Sequence, residues 1–119
     1  MNLLEDSLLV IWNDRNAESR LKAMSAIYAK DIVFYESNDG PPFQGFEAIN
    51  NLIQQLQSQW PAEFRFELTA PSKVNHQVQL ITWRLGIPGQ AAAATGMDIA
   101  VIENDQIKSL HLLLDSPGK

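Results

Sequence analysis

The 119-residue sequence contains no cysteine. Disulfides, thiolate metal sites and a cysteine nucleophile are therefore excluded, and the composition fits a reducing compartment. The two histidines, His76 and His111, have no ligand partner close in sequence, so we expect no metal site. No phosphate loop, nucleophile elbow or dinucleotide fingerprint is present, and we expect no cofactor.

Positive charge is also scarce: nine Lys and Arg stand against fourteen Asp and Glu, for a net charge of −5. The basic residues are scattered, which argues against a nucleic-acid partner. The longest apolar runs, such as 8–12, are too short to span a bilayer. Residues 1–6 carry early acids and lack the cationic region of a secretory signal. We therefore expect a cytoplasmic protein that binds neither nucleic acid nor membrane.

The length and the even composition suit one domain over residues 1–119. In its first half, apolar residues recur every three or four positions, as in amphipathic helices. This spacing predicts helices near residues 4–12, 17–30 and 46–60. Asn16 is a suitable N-cap for the second helix. The first half of the domain is therefore predicted to be largely helical.

Beyond residue 63 the apolar period changes to two, which is typical of strands. Helices followed by consecutive antiparallel strands indicate an α+β fold. The last hairpin is apolar on both faces, and the helices can cover only one of them, so we expect a homodimer built on the other. A short strand is also predicted before a loop; the predicted segments are strands at 32–35, 64–68, 78–87, 90–103 and 106–115, and a loop at 37–45.

The final hairpin contains a candidate acid/base pair. If residues 104–105 form a two-residue turn, counting outward places Asp98 directly opposite His111 on the same face. A carboxylate beside an imidazole on an apolar face would form a coupled titrating pair. The alternative for each residue is structural: a hydrogen-bonded carboxylate for Asp98 and an ordinary histidine for His111.

Three segments carry a resemblance to a known family: Tyr28–Glu36 (YAKDIVFYE), Gly45–Ile49 (GFEAI) and Thr95–Glu103 (TGMDIAVIE). They resemble the nuclear transport factor two-like superfamily, which includes ketosteroid isomerase and the SnoaL-like polyketide cyclases. The resemblance covers nearly the whole chain and implies a single SnoaL-like domain. It further implies N-terminal helices packed on a strongly curved antiparallel sheet that forms a cone with an internal pocket.

The same resemblance implies roles for individual residues. Asp98 falls where ketosteroid isomerase has the protonated aspartic acid of its oxyanion hole, and Glu36 falls at its general-base aspartate. Trp12 falls at its oxyanion-hole tyrosine, although an indole donates a hydrogen bond without exchanging a proton. The candidate catalytic residues are thus Asp98, His111 and Glu36. The alternative for Glu36 is a solvated residue at a strand end.

Large aromatic side chains are candidates for both the core and a ligand pocket. We expect two or three of the following to line a cavity and the others to pack in the core: Trp12, Tyr28, Phe34, Trp60 and Trp83.

Two functions follow from these observations. The first is a SnoaL-like protein that binds a small apolar or amphipathic molecule, as an isomerase- or cyclase-type acid/base enzyme. The second is a non-catalytic ligand-binding or protein-interaction module on the same fold. An enzyme should place at least two titratable groups within reach of one ligand.

Overall fold

Helices form one layer of the structure, a computed structural model that describes residues 2–115. Helix α1 (Leu3–Asp6) continues as a π-helical segment (Ser7–Trp12) and is followed by α2 (Ala17–Ile27) and α3 (Phe46–Gln57). All three helical regions lie where the apolar spacing predicts them.

A sheet of seven strands forms the other layer of the described chain. The pairing order is β2-β1-β7-β6-β5-β3, with β4 paired to β5, and the sheet does not close. The α+β prediction is confirmed, although the sheet is mixed because β1 and β7 are parallel. The strands are β1 (Tyr28–Tyr35), β2 (Phe43–Gln44), β3 (Arg65–Leu68), β4 (Lys73–Asn75), β5 (Val78–Gly86), β6 (Ala94–Glu103) and β7 (Gln106–Leu114).

Local sequence explains where the helices begin. The Asn2 side chain accepts a hydrogen bond from the Glu5 amide at 2.9 Å, which caps α1. Asn16 caps α2 as predicted, accepting from the Ser19 amide at 2.9 Å. Gly45, immediately before α3, has a φ of 85°, a conformation that favours glycine.

Several element boundaries differ from those predicted. Helix α2 ends at Ile27, whereas the apolar spacing extended it through Tyr28 to about residue 30. Tyr28 instead begins β1 and pairs with Ile107 of β7, a long-range contact that local spacing does not contain. The predicted loop at 37–45 contains the short strand β2, which pairs with β1.

The turn between β6 and β7 has two residues, as predicted. Asn104 and Asp105 have φ values of 54° and 61°, which fits a hairpin turn with both central residues left-handed. Beyond the turn, however, the pairing shifts by one residue. Ile102 pairs with Ile107, and Val101 pairs with Ser109.

Lys108 is therefore an extra residue on β7, a β-bulge. One extra residue reverses which side chains share a face, because successive side chains in a strand alternate. Asp98 consequently pairs with Leu112, and His111 pairs with Ile99. The prediction that Asp98 and His111 lie opposite each other is wrong.

The hydrophobic core lies between the helices and the concave face of the sheet, and it includes Leu4, Ile11, Met24, Ile49, Ile53, Ile81 and Leu110. The other face of the sheet is not covered by the described helices. No helix in residues 2–115 is long and apolar enough to cross a membrane.

Candidate functional site

A cavity of about 200 Å³ opens between the helical layer and the concave face of the sheet. It is bordered by the π-helical segment, the end of α3, and strands from both halves of the sheet. Its lining is mostly apolar and consists of Leu8, Trp12, Phe34, Glu36, Leu56, Trp60, Phe66, Trp83, Leu85, Ala94, Asp98, Leu112 and Leu114.

Aromatic rings form much of this lining. Four of the five aromatic residues proposed from the sequence line the cavity, more than the expected two or three: Trp12, Phe34, Trp60 and Trp83. Phe66 joins them. Neighbouring rings meet at steep angles, for example 84° between Trp12 and Phe66 and 80° between Phe66 and Trp83. The rings therefore form walls that meet at corners rather than a flat stack.

Asp98 is the most perturbed acid in the described chain. Asp98 lies on β6 and is 9% exposed. One of its carboxyl oxygens accepts a hydrogen bond from Trp83 Nε1 at 3.0 Å. Burial raises the pKa of Asp98 to about 7, while the hydrogen bond from Trp83 opposes that rise. This carboxyl group therefore changes charge near neutral pH.

Gly96 allows Trp83 to reach Asp98. Gly96 pairs directly with Trp83 across β5 and β6, two residues before Asp98. A Cβ atom on residue 96 would lie 2.6 Å from Cζ2 of the Trp83 ring, closer than real Cβ contacts allow. The absence of a side chain lets the indole lie across β6, which gives the glycine-x-aspartate pattern a physical meaning here.

Tyr28 is the one of the five aromatic candidates that does not line the cavity. Its fully buried hydroxyl lies 2.6 Å from Ser7 Oγ and accepts a hydrogen bond from Trp12 Nε1 at 3.3 Å. Burial raises the pKa of Tyr28 to about 12. Since the Trp12 indole N–H is bonded to Tyr28, it is not free to serve as the oxyanion donor that the resemblance implies.

The other two candidate catalytic residues lie apart. Glu36 follows β1, is half-buried and lines the cavity with Asp98. His111 is exposed on the outer face of the sheet, where its ring stacks on Tyr35 at 4.5 Å and 14°. The structure thus brings Asp98 and Glu36 to one cavity and excludes His111 from it.

A family model for the SnoaL-like domain matches residues 10–110. The chain belongs to the SnoaL-like family. A search of curated proteins found no match to this SnoaL-like chain.

Solved structures share the SnoaL-like fold at low sequence identity. A protein of the SnoaL-like family from Agrobacterium tumefaciens, provisionally named an isomerase, is 20% identical with a TM-score of 0.83, over 95% of both chains. A protein from Kribbella flavida, provisionally named a ketosteroid isomerase, is 11% identical with a TM-score of 0.72, over 98% of this chain and 78% of that one. An NTF2-like protein of unknown function from Cytophaga hutchinsonii is 14% identical with a TM-score of 0.66, over 95% and 87%.

Sequence reasoning missed several residues that shape the SnoaL-like site. Phe66 contacts three other aromatic rings at the cavity, and its alternation with Phe64 and Leu68 in the sequence was the available signal. Asn13 was also missed. Its amide donates to the Phe66 carbonyl at 3.1 Å and accepts from the Phe66 amide at 2.7 Å, which fastens the end of the π-helical segment to β3.

No group of three or more His, Cys, Asp or Glu residues that could hold a metal ion occurs within residues 2–115. The ionisable groups that the site offers to a ligand are the carboxyl groups of Asp98 and Glu36.

Proposed function

We propose that this SnoaL-like protein binds a compact, largely apolar molecule in its cavity and exchanges protons with it through Asp98 and Glu36. The reaction class is that of an isomerase or cyclase, in which a proton leaves one carbon and another atom is protonated. The observation that carries the proposal is Asp98: a carboxyl group buried in a cavity wall, with its pKa raised to about 7.

An acid/base group works best when its pKa lies close to the operating pH. Asp98 meets this condition at neutral pH because its surroundings are apolar. Trp83 donates to Oδ1 of Asp98, and no other donor of residues 2–115 contacts this carboxyl, which leaves Oδ2 available to a bound molecule. Glu36 supplies the second titratable group that proton transfer between two positions requires.

The size of the cavity favours a small ligand. About 200 Å³ is below the range of roughly 300–1,000 Å³ that is usual for pockets holding drug-sized molecules. The ligand we propose is therefore smaller than a steroid or a polyketide.

A compact β,γ-unsaturated ketone tests the proposal. We expect the protein to convert 3-cyclohexenone to its conjugated isomer, followed by the ultraviolet absorbance of the product. Asp98→Asn and Glu36→Gln should each lower turnover by about 10²–10⁴-fold, the usual contribution of a positioned acid or base. Glu63→Gln is the matched control, because Glu63 is exposed and lies outside the cavity lining. Turnover that is indifferent to both cavity variants would contradict the assigned roles.

The alternative is a non-catalytic binding module on the same fold. Such a protein would bind small ketones in the cavity without converting them. An open cavity supports either ligand-binding hypothesis over a protein-interaction module, whose cavity should be filled. Binding without turnover by a panel of compact ketones would favour the non-catalytic alternative.

The uncovered face of the sheet supports a homodimer, which we also propose. Successive pairing partners place Leu80, Ile99, His111 and Tyr35 in one row on that face. Met97 and Leu113 form a second apolar pair beside it. Leu113 is 53% exposed in the single chain, and a second copy would cover it.

Location in the cytoplasm stays a prediction from the sequence.

Sedimentation velocity tests the assembly. We expect a dimer at micromolar concentration and a shift to monomer for Leu113→Lys, because the new charge would have to be desolvated in the interface. Val10→Lys is the control: Val10 is 49% exposed but lies on the π-helical segment, away from the proposed interface. A wild-type monomer at these concentrations would refute the proposal.

A further inference from the structure

The ionisable side chains of the cavity lining are all acidic. Two acidic side chains, Asp98 and Glu36, reach the cavity, and no Lys, Arg or His of the described residues lines it. Two basic side chains outside the lining are paired with other acids: Arg84 with Glu67, and Lys108 with Asp31. A ligand in this cavity therefore meets negative charge that the protein itself does not balance.

The rest of the wall is suited to cations of one kind. Trp12, Phe34, Trp60, Phe66 and Trp83 surround the same space, and tryptophan is the side chain that attracts cations most strongly through its ring. Aromatic walls stabilise a diffuse, weakly hydrated cation, whereas they offer no hydrogen-bond acceptors to a strongly hydrated ion such as Na⁺. Organic ammonium groups are diffuse, weakly hydrated cations of this kind.

We infer that the molecule bound in this cavity carries a compact tertiary or quaternary ammonium group, held between the aromatic walls and the carboxyl groups of Asp98 and Glu36. This inference rests on the proposed function, since it names the chemical class of the ligand for the same cavity. Methyl groups on the nitrogen contact the rings, and the positive charge faces the carboxylates.

The burial of Asp98 gives the cation a specific advantage over a neutral ligand. Ionisation of Asp98 is unfavourable because its carboxyl group is desolvated and, among the described residues, accepts a hydrogen bond only from the Trp83 N–H. A cation beside it supplies the missing opposite charge in a low-dielectric site, where the attraction is strong. A neutral molecule of the same shape gains the apolar contacts but not this electrostatic attraction to Asp98.

Binding should consequently depend on pH. The bound cation favours ionised Asp98, so affinity should rise by up to about tenfold per pH unit as pH increases toward 7, and then level off. Glu36 is the other titratable group that lines the cavity. Tyr28 on β1 interacts electrostatically with Asp98. Burial raises the pKa of Tyr28 to about 12, so its hydroxyl stays neutral over this range.

Choline and 3,3-dimethylbutan-1-ol are the probes that test the inference, because they have nearly the same shape and differ in charge. Choline is permanently charged, so its own titration cannot produce a pH dependence. All three tryptophans of the chain line the cavity, and intrinsic fluorescence therefore reports binding directly. We expect choline to bind at least tenfold more tightly than the alcohol at pH 8, and the preference to shrink at pH 5.

Variants separate charge from shape. Asp98→Asn should reduce the preference for choline and remove its pH dependence near 7, while binding of the alcohol persists. The double variant Asp98→Asn, Glu36→Gln should abolish the preference. Glu63→Gln removes the same single charge from an exposed position outside the lining, and it should leave the preference unchanged.

The outcomes distinguish this inference from the proposed function. Equal binding of choline and the alcohol would overturn the inference and leave an apolar ligand-binding cavity. Failure of both to bind, with conversion of 3-cyclohexenone intact, would also overturn the inference and leave the proposed enzyme. Absence of binding and of conversion for every probe would overturn both.

Discussion

Replacing Asp98 by asparagine is expected to make the protein more stable at pH 8. A carboxyl group with the ordinary pKa of 3.8 in the unfolded chain and a pKa of about 7 in the folded protein costs about 4 kcal/mol of stability at that pH. Asparagine has nearly the same shape, and its side-chain oxygen can still accept the Trp83 N–H. Because its amide group is also partly desolvated, we expect a net gain of about 3 kcal/mol.

The sign of the effect follows from the two protonation states. Well below pH 3.8, the carboxyl group is protonated in both the folded and the unfolded chain and causes no penalty. Between pH 4 and 7, it ionises in the unfolded chain first, so stability falls as pH rises. Above 7 the penalty is constant. The advantage of Asp98→Asn should therefore be small at pH 4.5 and reach its full value near pH 8.

Urea unfolding of both proteins at pH 4.5 and pH 8 measures this difference directly. Other acids titrate alike in the two proteins, so subtracting the curves isolates residue 98. Asp31→Asn is the control: Asp31 is exposed, and the hydrogen bond from Lys108 holds its pKa below the ordinary value. Its replacement should not stabilise the protein at any pH. An advantage of Asp98→Asn that does not grow with pH would show that this carboxyl is not desolvated in the fold.

The combination of a more stable and a less active variant would be informative. A side chain that lowers stability while it lines a cavity is typical of functional sites, where chemistry requires a group that folding disfavours. A purely structural Asp98 would give the opposite result, with the asparagine variant less stable at neutral pH.

Helix positions were predictable because their signals are local. The three-and-four spacing of apolar residues identified all three helical regions, and Asn16 marked the start of α2 through its side-chain cap. The hairpin turn at Asn104 and Asp105 was predictable for the same reason. The cavity position of Asp98 agrees with the glycine-x-aspartate pattern, in which Gly96 makes room for Trp83.

The features that were not predictable depend on long-range pairing. The bulge at Lys108 has no signature in the hairpin sequence, yet it decides that His111 lies outside and Asp98 inside. The parallel pairing of β1 with β7 likewise takes Tyr28 out of the helix. A single unpredicted residue in a strand was therefore enough to separate the proposed acid/base pair.

The second large effect on stability is expected at the buried arginine of α2, for which the local sequence pattern contains no signal. Arg20 is fully buried, and its guanidinium donates to the side-chain oxygens of Asn50, Gln54 and Gln57, all on α3. It also donates to the Asp14 carbonyl at 2.8 Å. This network joins α2, α3 and the chain that follows the π-helical segment.

The same network holds one wall of the cavity. The side-chain amide of Gln57 accepts from Arg20 and donates to the carbonyls of Trp12 at 3.3 Å and Asp14 at 2.8 Å. Arg20 thus acts on Trp12 through one intermediate residue. It is a positioning residue for the aromatic wall and makes no contact with the cavity itself.

Arg20→Ala is expected to destabilise the protein by about 3 kcal/mol, because it leaves the amide oxygens of Asn50 and Gln57 buried without the Arg20 donors and opens a cavity. This value includes the relief of desolvating a guanidinium whose hydrogen-bond acceptors within residues 2–115 are amide and carbonyl oxygens. Urea unfolding measures the loss, and a red shift of tryptophan emission should show that Trp12 becomes more exposed to water. Arg15→Ala is the matched control: Arg15 donates to the carbonyls of Gln57 and Pro61 but is exposed, so its replacement should cost less than about 1 kcal/mol. Equal losses for the two variants, with unchanged emission in both, would show that the buried network does not hold the wall in place.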